Sequence, residues 1–157
     1  MHDRAKAFAE RANEAYGFTV DVHEFPEGTK TAADAAAAIG CDVAQIASSL
    51  VFTAPDPVVV VTSGANRVSE AKLATACGVA ESAIEMAAAG TVRETTGWSI
   101  GGVPPICHDG SLAVYLDETL SGFETVWAAA GTPEAVFPIA PERLREFADA
   151  EPVDVAE

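Results

Sequence analysis

Cysteine is scarce in this chain: three among 157 residues, Cys41, Cys77 and Cys107, an odd number with no C-x-x-C spacing. That scarcity excludes a paired disulfide framework and points to reduced thiols in a cytoplasmic protein. Lysine is equally rare, only Lys6, Lys30 and Lys72. With 24 Asp and Glu against 9 Lys and Arg the formal net charge is −15, so the basic footprint with which proteins ordinarily hold phosphates is missing. Long apolar runs are missing too. None approaches the roughly 18 residues that a membrane span requires, and the charged opening MHDRAKAFAERANEAYG lacks the apolar stretch of a signal peptide. No G-x-G-x-x-G follows a strand pattern and no phosphate-loop motif is present, so nucleotide-cofactor chemistry has no support and no cofactor is expected. Only His2 and His23 could join Cys107-His108-Asp109 as histidine ligands, too few for a metal site.

What is present is a globular composition. Half the residues are hydrophobic (49%), and the length suits one domain with a core of its own. An acidic surface with little lysine and many small residues is the composition of a halophile's cytosolic protein; an acidic mesophilic protein is the other reading. In molar salt the Debye length falls to about 3 Å, so the charge weakens a nucleic-acid partner without excluding one.

Apolar spacing predicts a first helix over 3–16 stopped by Gly17. FTVDVHEF alternates as a strand over 18–25, with His23 on its outer face beside Asp21 and a turn at Pro26 and Gly28. Thr31 reads as the N-cap of a short helix ending at Gly40, with Asp34 as its capping partner. The β-branched runs at 48–54 and 57–64, parted by PDP, read as a hairpin of buried strands. A helix from Ser69 to Gly78, with Cys77 in the core, precedes a short strand near 83–86 and a helix near 88–95. Strands at 111–117, 124–131 and 136–139, a helix opened by Pro141 and a short strand in PVDVAE complete the chain. Strands and helices are mixed without a strict βαβ rhythm, which predicts an α+β domain with a mixed or antiparallel sheet.

Three places invite chemistry. GWSIGGVPP, residues 97–105, sets adjacent glycines before adjacent prolines; backbone amides there can approach a ligand as oxyanion donors, or the segment is a plain turn. Cys107 and His108 are neighbours, point to opposite sides of an extended chain and make a poor nucleophile and base pair. Ser63, Gly64, Asn66 and Arg67 sit at a strand end, where binding groups gather, and AAAGTP brings Gly131 into a second turn after a strand.

Taken in order, TAADAAAAIG, QIASSLVF, VVVVTSGANRVSEAKLA, TGWSIGGVPPICH, VYLDETL and VWAAAGTPEAVF resemble the successive blocks of the YbaK/prolyl-tRNA editing domain family, over residues 18–155. The resemblance implies an α+β domain with a mixed, barrel-like sheet flanked by helices. It implies a trans-acting aminoacyl-tRNA deacylase that hydrolyses the ester of a mischarged small amino acid, such as alanine or cysteine. The family's G-x-x-x-P segment, here Gly101 to Pro105, would line the pocket, and water or the terminal adenosine's hydroxyl would supply the attack. Three positions depart from the pattern: Ser48 stands for the family's functional lysine, Cys107 for a glycine and Glu134 for a histidine. Serine brings a hydrogen bond but neither charge nor reach, and Lys30 or Arg67 would have to provide a cation.

The resulting candidates are Ser48, Gly101 and Gly102 for catalysis and Asn66, Val103, Pro105, His108 and Gly131 for substrate binding, with no metal. The expected partner is an aminoacyl-tRNA held by its acceptor end, with prolyl-tRNA synthetase as a second candidate and no membrane; the oligomeric state stays open. The alternative is a non-catalytic tRNA- or small-ligand-binding relative that lost turnover with the lysine.

Overall fold

The computed structural model describes residues 2–25 and 31–157; the turn expected at Pro26 and Gly28, and Lys30, lie outside them. Helix α1, Asp3–Tyr16, forms where the spacing of Ala5, Phe8 and Ala12 gives a buried stripe. His2 Nδ1 accepts the Arg4 N–H at its start, and Gly17, at φ 65°, closes it in the left-handed conformation. Phe8 carries the stripe into the core, 5.0 Å from the Phe137 ring and edge-on to Trp98 at 6.1 Å. Helix α2, Ala32–Ile39, starts at Thr31, whose Oγ1 accepts the Asp34 N–H. A cap of this kind stabilises a helix by about 1 kcal/mol.

The centre is the hairpin of β2, Ile46–Thr53, and β3, Pro57–Ser63, paired antiparallel from Ala47 with Ser63 to Thr53 with Pro57. Val58 to Val61 are all buried, as befits a strand covered on both faces. Around it stand β4, Glu85–Met86; β5, Ala113–Asp117; β6, Val126–Ala129; β7, Ala135–Ile139; and β8, Glu151–Val153. With β1, His23–Glu24, they form one mixed sheet of eight strands in the order β1-β7-β6-β2-β3-β5-β8, β4 pairing β2 beside this path. Helices α3, Glu70–Cys77; α4, Ala89–Thr96; and α5, Pro141–Ala148, flank it. Cys77 is half-buried against the smaller apolar cluster around Leu73 and Val60.

The strand expected over 18–25 is corrected to His23–Glu24. Phe18, Val20 and Val22 do pack inward, so the alternation is real, but the ladder is short. Its register places Asp21 opposite Pro138. The Phe25 N–H donates to the Glu134 carbonyl, so the even-numbered residues of β7 turn their main-chain groups to β1, and Pro138 among them has no N–H to give. His23 donates instead to Asp21 at 2.9 Å and meets the Trp127 ring edge-on.

Candidate active site

Strand β2 spends one edge on β3 and divides the other. It pairs β6 in parallel only at Ile46–Ala47, and β4 only at Phe52–Thr53. Between those ladders the edge opens onto a cavity of about 250 Å³. Ala47, Ser48, Ser49, Leu50 and Val51 form its β2 wall; Trp127, Ala128 and Ala129 of β6 with Val136 of β7 form the wall opposite. Met86, Ala87 and Val92 close one end, Ile100, Gly101 and Val103 another, and Thr31, Ala32 and Ala35 of α2 a third. Among the described residues that line it there is no Asp, Glu, Lys, Arg, His, Cys or Tyr; Thr31, Ser48 and Ser49 are the hydroxyl-bearing residues among them.

The glycine loop reaches this cavity as a tight turn. The Gly102 N–H donates to the Ser99 carbonyl at 3.0 Å, and Gly101 stands at φ 88° while Ile100 keeps a negative φ. That combination is a type II turn, which calls for glycine at its third position. The Gly102 amide is therefore used inside the turn, whereas that of Gly101 lies outside its closing bond. Gly102 is buried against the next loop: a Cβ on it would come within 2.7 Å of Thr132 Cα. Gly131 packs under Trp98, where a Cβ would meet the ring at 2.8 Å. Neither Gly102 nor Gly131 lines the cavity; together they let two loops close on each other. Trp98 anchors the arrangement, buried beneath the guanidinium of Arg4 at 4.7 Å and donating its Nε1–H to the Cys107 carbonyl.

Of the sequence candidates, Ser48, Gly101 and Val103 come together at this cavity. Pro105 and His108 line a different one, of about 460 Å³, with Tyr16, Cys107 and Tyr115. His108 donates Nε2–H to the Pro104 carbonyl at 2.7 Å, and burial holds its pKa below the ordinary value. Cys107 stands at φ 65°, and burial pushes its thiol up to about 11, so at neutral pH it is no nucleophile.

Asn66 is occupied by structure. Its amide donates to Asp117 at 2.9 Å and to Thr119 Oγ1 at 3.0 Å. Burial pushes the Asp117 carboxyl up, but the bonds from Asn66, Ser63 and Thr119 outweigh it and hold the pKa below the usual value. This clasp fixes the ends of β3 and β5 beside Thr62, the cross-strand partner of Ser48. Arg67 is nearly fully exposed, 3.8 Å from Glu157. Ser49, which was not among the sequence candidates, also lines the cavity; strand alternation sets it on the opposite face from Ser48.

The family model for the aminoacyl-tRNA editing domain matches residues 26–147. This chain belongs to the aminoacyl-tRNA editing domain family. Protein YwhH of Bacillus subtilis (strain 168) is 34% identical over 131 residues, spanning 81% of this chain and 80% of its own. A solved structure described as a proposed trans-editing enzyme for prolyl-tRNA synthetase superposes with a TM-score of 0.93 at 37% identity, covering 100% of this chain and 99% of that one. The hypothetical protein APE2540 follows the same fold at TM-score 0.85 and 27% identity, over 96% of this chain and 99% of its own. The editing-domain fold expected from the sequence is thus shown by family and structure alike. Among the described residues, no helix is long and apolar enough to cross a membrane.

Proposed function

We propose that this editing domain is a trans-acting aminoacyl-tRNA deacylase that hydrolyses the ester of a small mischarged amino acid, of the alanyl- or cysteinyl-tRNA(Pro) type. The observation that carries this reading is the cavity at the opened edge of β2. Its 250 Å³ suits a small side chain, its walls are alanine and valine, and the type II turn brings Gly101 to it. Such a pocket selects by size, excluding larger correct residues. The ester's acceptor end would lie at the mouth, beside exposed Met86 and Ile100. Prolyl-tRNA synthetase, the partner that the solved relative's description mentions, is a candidate to deliver the substrate.

Chemistry in such a pocket rests on positioning. With no ionisable side chain among its described lining, water or the terminal adenosine's hydroxyl would be the attacking group, and the Gly101 amide, which the turn's closing bond does not use, is the candidate donor for the ester oxygen. The pH dependence of release should then follow the substrate's own α-amino group and hydroxide, without a bell set by an enzyme histidine. The deciding experiment is single-turnover release of amino acid from alanyl- and cysteinyl-tRNA(Pro) in high potassium chloride. Release above the spontaneous rate supports the deacylase; binding without release supports the second reading, a non-catalytic relative. Ser48 in the lysine position favours that second reading, and Ser48→Lys separates the two: a working pocket gains rate, a binder stays inert.

A further inference from the structure

The cavity at the β2 edge has a neighbour of about 540 Å³, and Leu50 and Met86 line both. Thr62, on the neighbour's wall, is the cross-strand partner of Ser48, and alternation puts Leu50 on the same face of β2 as Ser48, so the two cavities share one face of the sheet. Three large apolar side chains stand exposed among the described residues, Val43, Met86 and Ile100, and Met86, at 61%, is the most exposed of them. It offers apolar surface to whatever spans the two cavities.

The neighbouring cavity differs in chemistry from the first. Half-buried Leu50 and Val68 join Met86 as its apolar surface, Glu70, Glu81 and Glu157 bring carboxylates, and Arg67 is the one Lys or Arg among the described residues lining either cavity. Three carboxylates work against an isolated anion. They accept hydrogen bonds from sugar hydroxyls and from a base's exocyclic amine, while the apolar surface takes the base, so the set fits a nucleoside with a single phosphate at its edge. Arg67 is placed for that phosphate. Its side chain is 91% exposed, and its Nε lies 3.8 Å from the Glu157 carboxylate, an exposed pair worth little. Its backbone is fixed: the Arg67 carbonyl accepts the Glu157 N–H, and the preceding Asn66 is clasped by Asp117 and Thr119. A guanidinium on a fixed stem, held only by a weak partner, suits a bidentate phosphate contact.

We propose that the neighbouring cavity holds the nucleoside that carries the ester, and that Arg67 meets the phosphate joining it to the rest of the acceptor end. The acyl group then lies in the first cavity, the ribose passes Met86, and the one described cation along the two walls meets the substrate's nearest negative charge. This rests on the deacylase reading and adds a separable subsite to it.

The test uses a non-hydrolysable amide analogue of alanyl-adenosine, with and without a 5′-phosphate, bound by the wild-type protein, Arg67→Ala, Arg67→Lys and Arg93→Ala. Binding is measured at the lowest potassium chloride concentration that preserves circular dichroism, since salt screens an exposed contact. The wild type should bind the phosphorylated analogue about tenfold more tightly, and Arg67→Ala should cut that preference to within about twofold while holding the other analogue as the wild type does; Arg67→Lys should lie between. Arg93→Ala, which removes a guanidinium bonded to Ser99 beside the glycine loop, should keep the wild-type preference. No preference in the wild type, an equal one in Arg67→Ala, or one lost in Arg93→Ala instead overturns the role of Arg67. A photoreactive azide on the adenine should attach within residues 66–71 or at Met86, and attachment only elsewhere overturns the placement of the base. Release of alanine from alanyl-tRNA(Pro) separates this inference from the reading beneath it. Release without an Arg67-dependent preference sinks the subsite and leaves the deacylase; the preference without release sinks the deacylase and leaves the subsite.

Discussion

Two of the cavities of this domain divide form from reactivity. The one holding His108, Cys107 and two tyrosines has the side chains that chemistry usually employs, yet each is committed: His108 to the Pro104 carbonyl, the Cys107 thiol to its protonated form by burial. The one at the β2 edge is built of alanine, valine, serine and glycine, with no described ionisable group, and lies where two ladders leave a strand unpaired. On the proposed reading, reactive residue types are poor guides to the pocket. On that reading the unfinished hydrogen bonding of a strand edge marks it better, because a buried backbone group without a partner is costly unless a ligand completes it.

The largest break in this contrast should come from Gly101→Val. A branched side chain at φ 88° strains the turn beside the cavity that Gly101 lines, its Cβ 3.5 Å from Pro133. Ester release should fall at least about tenfold, some 1.4 kcal/mol of barrier, with far-ultraviolet circular dichroism preserved. A variant that folds and releases amino acid at the wild-type rate would remove the turn from the site.

A smaller effect, of another kind, is expected at His108. His108→Gln should leave release within about twofold of wild type if the ester binds at the β2 edge, since His108 lines the other cavity. Its signature is in stability. Burial first, then the nearby Arg11, lower its pKa, while the Pro104 carbonyl and Asp109 oppose them only in part. The folded protein thus favours neutral histidine. As the pH drops below the unfolded value of 6.5 the unfolded chain takes up a proton first, so stability is full above that pH and is lost toward the folded pKa. Melting temperatures between pH 7.5 and 5.5 should decline for the wild type and decline less for His108→Gln. An equal decline would place the acid sensitivity elsewhere.

These expectations also show what could be read from the chain alone. Caps and periodicity located the helices, because Thr31, Gly17 and Pro141 act within one turn of themselves. The valine run of β3 announced a central strand. The short β1 was not legible, since its limit is set by Pro138, over a hundred residues away, through a register that only the fold creates. The geometry of the candidate site was half legible. Ser48, Gly101 and Val103 converge on one cavity, but adjacency in GVPPICH concealed that the backbone passes from one cavity at Val103 to another at Pro105.

The smallest effect sharpens the contrast from the other side. Cys107 occupies a left-handed position where the family pattern has glycine, and its neighbour Trp98 is held by the Cys107 carbonyl, a bond that survives any side chain. Cys107→Gly should relieve about 1 kcal/mol of backbone strain. Against this stand roughly 0.4–1 kcal/mol from the looser unfolded chain and about 0.8 kcal/mol for each methylene-sized group of buried surface lost. The terms nearly cancel, so denaturant midpoints should give a stability within about 1 kcal/mol of wild type, and ester release should not change. A loss above about 2 kcal/mol would mean that the thiol's packing, and not the backbone, is what this position supplies. A loss of release would mean that the two cavities communicate through the loop between Val103 and Pro105, and that the division drawn between them is too sharp.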